Sequence, residues 1–181
     1  HQYLFSSGAD SSNNGRIYLR SDDRLQIYSI ASGATQMAIV FDPIKFRDVS
    51  AWYHFLIVVD TTDATETDRV QLYVNGTRHT QVSSTSGEGD FPSQNSDNAF
   101  NTTDGHSIGR RQHDNAYYFD GYMTEVNFVD GAAKAPTDFG EFDDNGVWIP
   151  KRYTGGFGTN GFFLQFKQTG TSQNASGIGA D

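Results

Sequence analysis

No cysteine occurs among the 181 residues, which excludes a disulfide framework, thiolate metal sites and thiol redox chemistry. That absence leaves the compartment open. Basic residues are also few, 13 against 22 acidic ones for a net charge of −9, and none forms a run longer than Arg110-Arg111 or Lys151-Arg152. Nucleic-acid affinity comes mostly from clustered Lys and Arg that neutralise phosphates, so no nucleic-acid partner is expected. An acidic surface also repels anionic membranes. No apolar stretch approaches the roughly 20 residues needed to cross a bilayer, so membrane insertion is not expected. No basic-then-apolar signal segment opens the chain. It starts at His1 directly in the strand-like QYLFS and closes on the polar TSQNASGIGAD. These two ends lead us to expect a piece of a larger protein.

What the chain does have is aromatics (14%) and 19 glycines, with few runs of helix-favouring residues. That balance suits strands joined by turns. Period-2 segments recur and none of length shows helical periodicity. Strands are expected at Tyr3–Ser6, Arg16–Arg20, Arg24–Ile30 and Met37–Phe41, with Ser21-Asp22-Asp23 and Ala31-Ser32-Gly33 as turns. The run WYHFLIVVD, Trp52 to Asp60, is apolar on both faces and predicts a central strand buried on both sides. In RVQLYVNG, Val70, Leu72 and Val74 alternate with Arg69, Gln71 and Tyr73, which predicts a half-buried strand. Asn75-Gly76 suits a type I′ turn, so Thr77–Val82 should fold back as its partner. From Ser83 to Asp104 a Ser/Gly/Asn/Asp-rich segment reads as a long loop, functional or mobile.

Further on, HSIGRR (His106–Arg111) and YYFDGYMTEVNFVDG (Tyr117–Gly131) read as strands. The parity of the apolar residues changes between Met123 and Val126, which predicts a β-bulge near Thr124-Glu125. Ala135-Pro136-Thr137-Asp138 suits the entry to one helical turn, and VWIP and GFFLQF read as short strands. The fold class is therefore all-β, an antiparallel β-sandwich over residues 1–168. Residues 169–181 read as a Gly/Ser/Asn-rich linker or the start of a further segment.

Three segments in order carry a resemblance: Trp52-x-His54 leading its strand to Asp60, VQLYVNG, and SIGRR followed by YYFDGYMTEVNF. Together they resemble the laminin-G/pentraxin/concanavalin A-like lectin/glucanase superfamily over about Trp52 to Val129. The resemblance implies a sandwich of jelly-roll type. The longer stretch from Asp120 to Phe166 is similar to versions of this domain in tailed-phage tail-fibre, spike and head-decoration proteins, especially of marine phages. Against those, the opening strands are expected to lie before Tyr3, outside this sequence. This likeness implies a virion-surface, extracellular location and a homo-oligomer, such as a trimer. It also implies a role in adhesion or decoration, with cell-surface glycans or other virion proteins as partners.

Catalysis is weighed through the glucanase relatives, which need two acids facing one sugar. The E-x-D-x-x-E strand of that chemistry is absent. Glu88-Gly89-Asp90 and Glu141-Phe142-Asp143-Asp144 fall in expected loops and turns, and no G-x-S-x-G elbow occurs. No enzyme activity is expected. His54, in its apolar strand, reads as a core histidine. His106 and His113 lack the spacing of a zinc pair. Calcium is the one cofactor that the resemblance implies, with Asp60, Asp63, Asp97, Asp104, Asp114, Asp143 and Asp144 as loop donors. The other reading of these acids, solvated turn aspartates, stays open. Sugar sites combine aromatic faces with Asn, Asp and Arg hydrogen bonds. Asp104, Arg111, Asp114, Asn115, Tyr117 and Tyr118, at the mouth of two adjacent strands, form the expected ligand rim. The alternative is that the tyrosines pack a sheet edge or an intersubunit contact.

Overall fold

The computed structural model describes residues 1–166, so the expected boundary at residue 168 and the polar tail lie outside the described residues. Thirteen strands are described: β1 Gln2–Asp10, β2 Asn13–Leu19, β3 Leu25–Ala31, β4 Ala34–Val40, β5 Phe55–Val59, β6 Val70–Val74, β7 Thr77–His79, β8 Gly89–Asp90, β9 His106–Ile108, β10 Val126–Phe128, β11 Gly140–Phe142, β12 Trp148–Pro150 and β13 Phe162–Leu164. The described helical elements are two single 3-10 turns, Glu66–Asp68 and Pro136–Asp138. The second matches the expected turn, and the Asp138 carboxylate accepts from the Ala135 amide at 3.0 Å.

Two compact units emerge among the described residues, one from residues 1–119 with 134–152, the other from 120–133 with 153–166. In the first, β8-β4-β3-β2-β1-β9 form a six-stranded sheet and β5-β6-β7 a three-stranded one, all pairs antiparallel. Register places Ile17 opposite Ile27 and Ile27 opposite Ile39, while Leu19 faces Leu25. Ile17, Leu19, Leu25 and Ile27 thereby share one face of the sheet. Leu25, Ile27, Met37 and Ile39 are fully buried on it. Val70, Leu72 and Val74 supply the dry face of the second sheet. Two antiparallel sheets that each have one dry face make the sandwich architecture.

The turn chemistry follows the sequence. Asn75 and Gly76 both take positive φ, 48° and 75°, as a type I′ turn demands. A Cβ at Gly76 would also run into the Trp148 ring, as would one at Gly140, so Trp148 lies flat against two glycine backbones.

Two expectations fail. WYHFLIVVD does not run through a sheet centre: β5 ends the three-stranded sheet, Val58 is its buried residue and Trp52 is 64% exposed. Of YYFDGYMTEVNFVDG only Val126–Phe128 is strand. Glu125 at φ 52° makes the parity change in the left-handed region, instead of a bulge within a ladder. The long segment after Ser83 is a loop apart from β8, as expected, and it is packed. Pro92, Ala99 and Phe100 are buried, the Ala99 amide donates to Ser29 Oγ at 3.0 Å, and Ser7 Oγ donates to the Ala99 carbonyl.

In the second unit β10 and β13 pair antiparallel, with Phe128 and Phe162 stacked at 5.5 Å. The Asp130 amide donates to the Phe157 carbonyl at 2.8 Å, closing the glycine-rich segment onto the end of β10.

Candidate functional site

β1 positions the site by pairing with β9, Ser6 opposite Ser107. Beyond β9 the chain turns at Gly109, φ 76°, whose amide donates to the Leu4 carbonyl. It then doubles back, with the Arg111 amide donating to the Ala116 carbonyl at 2.8 Å. Ser6, almost fully buried, pins this excursion: its hydroxyl donates to the Arg110 carbonyl at 2.7 Å and accepts from the Gln112 amide at 2.8 Å. Asn115 and Tyr117 both sit at positive φ, 53° and 54°. For a bulky aromatic that conformation is strained, and strain of this kind clusters at binding sites.

The side chains interlock. Arg111 donates to both oxygens of Asp114, from Nε to Oδ1 at 2.8 Å and from its terminal nitrogen to Oδ2. The flat guanidinium face lies 4.2 Å from the centre of the Tyr117 ring and 5.8 Å from that of Tyr3. Tyr3 in turn stacks on Tyr18 at 4.8 Å, nearly parallel. The Arg111 hydrogen bonds hold the Asp114 carboxyl down at about 2, and the same pair raises Arg111. Arg110 is tied to Ser107 Oγ at 3.1 Å and to the Asn115 side-chain oxygen. Burial pushes the neighbouring His113 imidazole down, and its Nδ1 is buried without a partner.

Of the six expected rim residues, Arg111, Asp114 and Tyr117 are in direct contact and Asn115 joins through Arg110. Asp104 does not: its carboxylate stays within its own loop, 3.4 Å from Thr102 Oγ1. Tyr118 is 62% exposed and stands outside the Tyr3–Tyr18–Tyr117 group. Sequence reasoning missed Tyr3, Tyr18 and Ser6. Alternation in QYLFS could have put Tyr3 on one face, but its match to Tyr18 is a matter of strand register.

The loop acids do not gather into a carboxylate cage for calcium. Among the described residues no three His, Asp or Glu side chains gather in a way that could hold a metal ion. Asp60, Asp63 and Asp143 instead accept backbone amides two residues on, from Thr62, Thr65 and Asn145. They are turn aspartates.

The remaining acid cluster is structural. Glu88 accepts from Ser83 Oγ at 2.8 Å and pairs with Arg20 at 2.8 Å and Arg24 at 3.4 Å. The Ser83 hydrogen bond, then the two arginines, hold its carboxyl below the usual range. A depressed acid stabilises the fold above its unfolded pKa, about 4.3, and that contribution disappears as pH falls through the folded value. The urea midpoint is therefore expected to drop as pH falls below about 4.3, with a shallower drop in Glu88→Gln; an identical slope in the variant would remove Glu88 as a cause. Among the described residues, Asp10, Asp22, Asp48 and Asp143 are displaced downward as Glu88 and Asp114 are.

The sequence matches a laminin-G-type family model, described as the concanavalin A-like lectin/glucanases superfamily, over residues 1–137. The chain belongs to that superfamily. No curated protein and no solved structure matches it.

Proposed function

We propose that this member of the concanavalin A-like lectin/glucanases superfamily is a non-catalytic carbohydrate-binding module on a virion surface, serving adhesion. The observation that carries the reading is the Tyr117 ring, 44% exposed and held in a strained backbone conformation against the Arg111–Asp114 pair. An aromatic face beside oriented hydrogen-bonding groups is the usual chemistry of pyranose recognition. The virion location rests on the likeness of the Asp120–Phe166 sequence to phage fibre and decoration proteins, and with it comes a homo-oligomeric parent in which avidity raises weak affinity.

On a glycan array, the full chain should bind a restricted set of glycans. Tyr117→Ala should weaken each hit by roughly 10- to 100-fold, the burial energy of one aromatic side chain. Unchanged hits in the variant would move the site elsewhere on the molecule.

A second reading has its own support. Trp52, Tyr118 and Phe142 all leave more than half of their surface exposed, which suits a module that joins virion subunits without binding any small ligand. An array without hits, together with a concentration-dependent oligomer in sedimentation, would favour it.

A further inference from the structure

One cation at the rim, Arg111, is already paired with a carboxylate, and this limits what the rim can take. Acidic sugars, whether uronates, sialosides or sulfated residues, are held by an open arginine fork that meets the anion with two parallel N–H donors. Here the fork of Arg111 is closed. Its Nε and one terminal nitrogen both go to Asp114, and its flat face is covered by Tyr117. Arg110 has its Nε and one terminal nitrogen held by neutral acceptors, Ser107 Oγ and the Asn115 side-chain oxygen. What faces outward is the remaining acceptor capacity of Asp114, the Asn115 amide group and the free part of the Tyr117 ring. Acceptors match sugar hydroxyl donors, and the ring matches a C–H face. A fixed carboxylate also repels a second anion, and the chain's net charge of −9 adds to that repulsion at longer range.

We infer that the rim selects uncharged saccharides and turns acidic ones away, because Asp114 closes the arginine fork that would otherwise receive an anion. This rests on the glycan reading above.

The experiment measures binding of the full chain to matched neutral, sialylated, sulfated and uronate-bearing glycans at 50 and 500 mM salt, concentrations chosen to bracket physiological screening. Wild type is expected to bind neutral glycans, with less than about a twofold change between the two salts, since no net charge is neutralised on binding. Asp114→Asn keeps the side-chain shape and frees the fork. It should gain acidic ligands at low salt by about tenfold or more, the order expected of a newly available charged hydrogen bond, with circular dichroism confirming the fold. Acidic hits in wild type that fade with salt would overturn the selectivity and leave the glycan reading intact. Neutral-only binding in both proteins would overturn the closed fork as its cause. A wild-type array without hits would overturn both readings, a different outcome from either of these.

Discussion

Replacing Ile27 with Ala is expected to destabilise the chain by about 2–5 kcal/mol, the range for truncating a fully buried aliphatic side chain. Ile27 has no exposed surface and sits in the third of six strands, with Ile17 and Ile39 opposite it on the flanking strands. Strands on both sides hold the backbone, so the site cannot collapse to fill the lost volume, and the cavity adds to the lost transfer energy. Ile27→Val removes one methyl group and should cost about 0.5–1.5 kcal/mol. Ile149, a partly exposed residue on β12, is the control, and Ile149→Ala should stay within about 0.5 kcal/mol. Urea unfolding of the three variants tests the ranking, and equal midpoints for Ile27→Ala and Ile149→Ala would show that the six-stranded sheet does not carry the core.

Arg69→Ala should cost about 2–4 kcal/mol, for a different reason. The guanidinium is buried and donates to three backbone carbonyls: Asp63 at 2.9 Å, Pro92 at 2.9 Å and Ala64 at 3.3 Å. Two separate loops are thereby clipped to the start of β6. Removing the donor leaves carbonyls in a poorly hydrated place, so the penalty is that of unsatisfied acceptors as well as lost bonds. Arg69→Lys keeps the charge but offers a compact ammonium that cannot span three acceptors, so it should recover only part of the loss. Hydrogen exchange should quicken at the Asn95 amide, which donates to the Thr61 carbonyl across the same two loops. Full recovery by lysine would mean that charge, and not the fork geometry, holds the loops.

Arg69 also shows where sequence reading fails. Alternation in RVQLYVNG put it with Gln71 and Tyr73 on the polar side; those two are half-buried in β6, whereas Arg69, just before the strand, is buried. The loops that arrive over its end are 23 residues apart from it in one case, and no local pattern announces them. The misreading of WYHFLIVVD has the same root. An apolar run reports that side chains avoid water, but which edge of a strand finds a partner depends on pairing with distant chain. Tyr117 differs again: its tyrosine-rich surroundings read as strand by propensity, yet positive φ at Asn115, Tyr117 and Glu125 breaks the ladder. Tertiary hydrogen bonds from Ser6 and Tyr3 to this segment override the local preference.

The sequence by itself determined the all-β class, the position of most strands in the first sheet, the Asn75-Gly76 hairpin and the Val70–Leu72–Val74 inner face. These follow from period-2 patterning and from φ demands within a few residues. It also brought Arg111 and Asp114 within reach, three positions apart. Only the tertiary structure decided that Tyr3 and Tyr18 would stack beneath that pair, that Asp104 would stay outside it, and that the segment after Ser83 would seal the core. Each of these depends on strand register and on contacts between residues far apart in sequence, which local periodicity does not encode.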